Sequence, residues 1–94
     1  MADLRLSVRA LDDLRSIDAY LAERNPEAAR RVIGSIRHTL DLLSDFPHLG
    51  PKSRHGNLRY CLEPRYQYLI YYRTDGAVID VLYILHPRRS RPPA

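Results

Sequence analysis

Cysteine is nearly absent: Cys61 stands alone in 94 residues. No intrachain disulfide can form, so the fold must rest on its core, an arrangement suited to a reducing cytoplasm. No apolar run approaches the roughly 20 residues that span a bilayer, which argues against a membrane helix. The opening Met1-Ala2-Asp3-Leu4-Arg5 lacks the apolar stretch and cleavage site of a secretory signal. His38, His48, His55 and His86 show no metal-ligand spacing, and one cysteine adds nothing to them. Ser44, Ser53 and Ser90 lie in no nucleophile motif, and no glycine-rich phosphate loop exists. No metal, no cofactor and no catalytic residue is therefore expected. Cys61, between Tyr60 and Leu62 on a strand, reads as a buried, inert thiol.

Tryptophan is absent and phenylalanine occurs once, yet there are seven tyrosines. Tyrosine can be half buried and still offer its hydroxyl, which favours strands with amphipathic faces. Apolar residues at 45% and charged residues at 28% give the balance of a globular chain rather than a disordered one. The length suits one domain over 1–94, with a short basic tail from about 87.

Lysine is as scarce as cysteine. Of fifteen basic residues, fourteen are arginine, the side chain suited to planar contacts with carboxylate or phosphate. The charge is uneven. Residues 1–46 carry seven arginines against eight acids, while 47–94 carry Lys52 and seven arginines against Glu63, Asp75 and Asp80. A basic second half suggests an acidic partner: nucleic acid, ribosome or acidic protein.

The pattern predicts strand, helix, helix, strand, strand, strand. Leu4, Leu6 and Val8 alternate with polar residues as a short first strand, and Ser7 suits a helix cap. Leu11, Leu14, Ile17, Tyr20 and Leu21 form the stripe of a first helix. Asn25-Pro26 marks a boundary, with Asn25 as cap and Pro26 at the first helical position. Ala29, Val32, Ile33, Ile36, Leu40 and Leu43 form a second stripe that ends before Pro47. Gly34 inside it predicts close approach to another backbone. Residues 47–57 read as a loop, and Leu58–Glu63, Tyr66–Arg73 and Val78–Leu85 as strands. Asp75-Gly76 predicts a two-residue hairpin turn with Thr74 facing Ala77. That register pairs Tyr72 with Ile79, Ile70 with Val81, Tyr68 with Tyr83 and Tyr66 with Leu85 on one core face. The other face keeps Leu69, Tyr71, Leu82 and Ile84. It is too apolar to be simply wet, which points to a covering partner.

The pieces Leu6-Ser7, Asp13-Leu14 with Ile17 and Tyr20, Pro26-Glu27-Ala28-Ala29, and Leu43…Pro47-His48-Leu49-Gly50 occur in that order. Tyr68-Leu69-Ile70-Tyr71-Tyr72-Arg73 and Val81-Leu82-Tyr83-Ile84-Leu85-His86-Pro87-Arg88-Arg89 follow. Together they resemble the ParE branch of the RelE/ParE toxins across nearly the whole chain. The resemblance implies an α+β fold, β-α-α-β-β-β, with a helical hairpin on a twisted antiparallel sheet. It also implies a cytoplasmic toxin held silent in a hetero-oligomer by a cognate antitoxin. In the family the antitoxin's C-terminal segment wraps the toxin and its N-terminal part often binds DNA. The ParE branch poisons DNA gyrase, whereas the RelE branch cuts mRNA in the ribosomal A site.

RelE-type cutting uses arginines or lysines on the sheet plus a late tyrosine or histidine. Arg88 or Arg89 matches the late arginine here. The earlier position falls near Leu62-Glu63, where a glutamate would repel phosphate, and Arg59 is close but out of register. No tyrosine follows Tyr83, and His86 directly before Pro87 reads as a structural or partner contact. The expectation is a non-enzymatic gyrase inhibitor. An mRNA interferase is the alternative, and a non-toxic nucleic-acid- or protein-binding module is a further one. The candidate target surface is His86, Arg88, Arg89 and Arg91, with Arg59 and Arg73 nearby by sheet geometry. The candidate antitoxin surface is Leu69, Tyr71, Leu82 and Ile84 with Tyr20 and Arg24 on the first helix.

Overall fold

Ser7 and Asn25 set the first half of the chain. In the computed structural model, which describes residues 1–86, strand β1 (Asp3–Leu6) runs into helix α1 (Val8–Arg24) through Ser7. The Ser7 hydroxyl oxygen accepts from the Ala10 N–H at 2.9 Å, and its O–H donates to the Leu82 carbonyl at 2.6 Å. One side chain thus caps α1 and ties it to the last strand. Asn25 closes α1 through its N–H on Leu21 and opens helix α2 (Pro26–Asp45) by accepting from the amides of Glu27 and Ala28. The one-residue junction folds the helices into a hairpin. On α2, Ala29, Val32, Ile36, Leu40 and Leu43 are buried. Gly34 departs from expectation: it is exposed, and a Cβ there would meet nothing within 4 Å.

Three strands follow: β2 (Arg59–Leu62), β3 (Leu69–Thr74) and β4 (Val78–Leu85). The sheet order is β1-β4-β3-β2. It is mixed rather than wholly antiparallel, because β1 runs parallel to β4 while β3 opposes both neighbours. Alternation tells which face a residue takes and carries no strand direction. Leu4 and Leu6 lie beside Ile79 and Val81, so β1 extends the core face.

The hairpin register also differs from expectation. Thr74 pairs with Ile79 and Tyr72 with Val81, so the connection is longer than two residues. Side chains build it: Asp75 Oδ1 accepts from the amides of Ala77 and Val78, and the Thr74 hydroxyl donates to the Val78 carbonyl. A bulge then leaves Leu82 unopposed, since Tyr71 pairs with Tyr83. An extra residue reverses the alternation beyond it. Tyr83 and Leu85 therefore turn to the outer face, and Ile84 turns into the core, the reverse of the expected placement. Helix α1 holds this stretch: Asp13 Oδ2 accepts from the Ile84 N–H at 3.0 Å. Asp13→Ala removes that acceptor and should cost about 1–2 kcal/mol in urea unfolding. Exposed Asp12→Ala should stay within about 0.5 kcal/mol of wild type.

The main core lies between helices and sheet and contains Ala10, Val32, Ile36, Leu40, Leu43, Ile70, Tyr72, Ile79, Val81 and Ile84. A second cluster forms on the outer face around Leu58, Tyr71 and Leu85, with Tyr60, Leu69, Leu82 and Tyr83 packed against it. The face expected to need a partner thus buries its centre within the chain.

Candidate functional site

The outer sheet face is built by cross-strand pairing. Tyr60 of β2 opposes Tyr71 of β3, which opposes Tyr83 of β4. Their rings form a row, with centroids 6.0 Å and then 4.9 Å apart, the second pair stacked. The Arg9 guanidinium of α1 lies 5.4 Å from the Tyr83 ring centre and joins the helix to the row. Tyr71, at the centre, is 2% exposed, while Leu69 and Leu82 are half-buried and Leu62 is 50% exposed.

This face presents phenols and aliphatic side chains. Burial pushes the Tyr71 phenol up, and Tyr83 and Tyr60 beside it add to the shift. Burial likewise raises Tyr83, with Arg9 and Arg73 pulling the other way. Both hydroxyls stay protonated at neutral pH and offer hydrogen-bond donors rather than a base. Burial raises the Cys61 thiol too, which keeps it a poor nucleophile. Among the described residues no three His, Cys, Asp or Glu side chains are grouped to hold a metal ion. No helix there is long and apolar enough to cross a membrane.

Among the described residues, the expected target-binding residues Arg59, Arg73 and His86 do not converge. Arg59 opposes Tyr72 and donates through Nη1 to the Gly50 carbonyl at 2.7 Å, so it pins the loop before β2. Arg73 is exposed near the hairpin tip opposite Asp80, in a hollow of about 260 Å³ shared with Arg5, Asn57 and Asp75. His86 follows the far end of β4, with its ring edge-on to Tyr68 at 5.2 Å. Asp80 and His86 are six residue steps apart along the chain, roughly 20 Å. Arg59 and Arg73 are therefore not neighbours of His86 along the sheet. Arg88, Arg89 and Arg91 lie outside the described residues.

The expected antitoxin residues divide by burial. Leu69, Tyr71 and Leu82 share the outer cluster, whereas Ile84 faces the helices and is 3% exposed. Tyr20 and Arg24 are exposed on α1, with the Arg24 guanidinium 3.9 Å from the Tyr20 ring centre. Sequence reasoning left out Tyr60 and Tyr83, which flank Tyr71. The face of Tyr83 follows from the bulge, for which no glycine or proline gives a signal, and that of Tyr60 from its pairing with Tyr71.

Glu63 was also left out as an anchor. It is completely buried at the end of β2. Its carboxylate accepts from the Ser35 hydroxyl of α2, from the Arg65 N–H at 2.9 Å and from the Tyr66 N–H at 2.7 Å. Burial alone would raise its pKa; those donors, Ser35 first, and the nearby Gln67 amide outweigh burial and hold it below the usual range. Glu63 thereby fixes the turn from β2 to β3, where Gln67 adopts a left-handed φ of 66°.

Comparison with known proteins agrees with this architecture. Residues 4–91 match the family model described as "ParE toxin of type II toxin-antitoxin system, parDE". A Sinorhizobium fredii protein named as a candidate toxin, Y4kP, is 32% identical over 89 residues, which cover 95% of this chain and 92% of that one. Toxin RelE1 of Caulobacter vibrioides is 31% identical over 90 residues, covering 92% and 94%. A solved structure titled as the chromosomal ParDE TA system from P. aeruginosa superposes with a TM-score of 0.80 at 22% identity, covering 92% of this chain and 96% of that one. At that identity the superposition establishes the shared fold. The family match over nearly the whole length, joined to two full-length relatives above 30% identity, establishes that this chain belongs to the ParE toxin family of type II toxin–antitoxin systems.

Proposed function

We propose that the chain is a cytoplasmic, non-enzymatic toxin that inhibits DNA gyrase by binding it and is neutralised by a cognate antitoxin. The observation that carries this reading is Glu63. Where the mRNA-cutting branch carries a phosphate-facing arginine, this chain has a buried carboxylate already engaged by Ser35, Arg65 and Tyr66. Cutting RNA needs a group to take the 2′-hydroxyl proton and a cation on the phosphorane. The Tyr71 and Tyr83 phenols hold their protons, and the end of β2 holds a buried carboxylate rather than a cation. In cells, expression without antitoxin should induce a DNA-damage response and leave mRNA intact. Codon-specific mRNA cleavage on translating ribosomes, without DNA breaks, would favour the nuclease reading instead.

The antitoxin is proposed to lie across the outer face and the α1 edge. Leu69 and Leu82 would give the apolar contacts, with Tyr71 and Ile84 supporting them from beneath. Tyr20, Arg24 and Arg73 would meet an acidic, amphipathic segment. Leu82→Asp and Arg73→Glu should each weaken the complex at least tenfold, about 1.4 kcal/mol, with thermal unfolding run in parallel to confirm folding. If both folded variants still co-purify with a full complement of antitoxin, the placement is wrong.

A further inference from the structure

A second polar feature lies away from the tyrosine row, on the outer side of α2. Arg30, Arg31, Gly34, Ser35 and His38 of α2, with Arg65 from the β2–β3 turn, line an open cleft of about 450 Å³. Three of its six residues are arginine, drawn from two elements, and none is acidic. Glu27, one turn earlier on the helix, reaches Arg30 and Arg31 only at 3.7 and 4.0 Å with all three side chains exposed, so solvent competes readily for these pairs. Arg65 has no carboxylate within ion-pair distance among the described residues. Glu63, beneath the turn, is closed to solvent and holds the Arg65 backbone in place.

Gly34 is the second observation. A glycine in the middle of a 20-residue helix lowers its stability, and packing gives no reason for it here, since an added Cβ would touch nothing. What the missing side chain does provide is an open floor where another backbone can approach the helix.

We propose that this cleft is a docking site for the phosphate backbone of duplex DNA. Arg30 to His38 is eight residue steps of helix, roughly 12 Å, about three to four phosphate steps along one strand. The lining has no apolar side chain, so an amphipathic acidic peptide would find charge there and no pocket for its apolar face. It has no tyrosine or phenylalanine, and His38 is its one ring, so a run of unpaired bases would find no row of rings to stack on. Phosphate contact through guanidinium groups is what remains, and it carries no base sequence information. The inference stands apart from the gyrase reading, because it is measured on the chain alone.

The test is a titration of the full chain into a fluorescent 20-base-pair duplex at several salt concentrations. Arg30→Ala/Arg65→Ala should bind about tenfold more weakly at low salt and lower the slope of log affinity against log salt by close to 2. Gly34→Gln should keep or raise the melting temperature while weakening binding, since glutamine is the better helix former and fills the floor. Arg88→Ala/Arg89→Ala, in the basic tail, should lose less than the cleft variant. Three results would overturn the proposal. The first is wild-type affinity in the cleft variant, and the second is a tail variant that loses as much or more. The third is a glutamate-rich peptide binding as tightly as duplex of matched charge and failing on the same substitutions, which would make the cleft a peptide site.

Discussion

Glu63→Ala should lower the unfolding free energy by about 3 kcal/mol, a large share of the 5–15 kcal/mol typical of a domain. The change strands the Ser35 hydroxyl and the amides of Arg65 and Tyr66, which now meet one carboxylate. Glu63→Gln should cost less, about 1–2 kcal/mol, because an amide oxygen still accepts from part of the set. The two proteins should also differ from wild type in acid. The native pKa of Glu63 is depressed, so its contribution is complete above the ordinary glutamate value and is lost as pH falls through the native one. Wild-type stability should therefore decline below about pH 4 more steeply than that of Glu63→Gln. Urea unfolding followed by circular dichroism between pH 3 and 7 measures both effects. Parallel acid profiles for wild type and Glu63→Gln would show that the Glu63 carboxylate contributes nothing.

Gly50→Ala should be comparably severe for a different reason. Gly50 is not in the left-handed region; its Cα lies against backbone, and a Cβ would sit 2.2 Å from the Tyr60 carbonyl oxygen and 3.0 Å from the Tyr72 hydroxyl. The loop must move away, which breaks the Gly50 N–H to Tyr72 hydroxyl bond and the Arg59 bond to the Gly50 carbonyl. A loss of about 3 kcal/mol is expected, corresponding to a fall in melting temperature of roughly 12–24 °C for a domain of this size. Tyr72→Phe removes only the hydroxyl that accepts from Gly50 and should cost about 1–2 kcal/mol. A Gly50→Ala melting temperature within a few degrees of wild type would mean that the loop yields freely and that this contact does not hold it.

These residues also show where the sequence was legible. Ser7, Asn25 and Pro26 announce their structural roles through cap chemistry that acts within four residues, and the structure places them accordingly. The α2 stripe was legible because burial repeats with the period of the helix; on α1 only Leu14, Ile17 and Leu21 of the expected stripe pack against the core, while Leu11 and Tyr20 are exposed. The hairpin was not. Asp75-Gly76 signals a two-residue turn, but the Asp75 and Thr74 side chains bond to Ala77 and Val78 and lengthen it. The bulge at Leu82 then inverts every later residue of β4, which is why Ile84 was assigned outward and Tyr83 inward. Its stabilisers, Ser7 and Asp13, are more than seventy residues away in sequence. The candidate surfaces inherit that error. The tyrosine row depends on cross-strand register, while the α2 cleft needs Arg65 delivered by a turn that a distant serine and a buried glutamate hold.

The most direct measurement is a supercoiling assay with purified gyrase, titrating in this chain without antitoxin. Inhibition with accumulation of cleaved DNA, reversed when antitoxin is added, is the expected result. Full supercoiling activity at micromolar toxin, together with cleavage of mRNA on ribosomes, would contradict it.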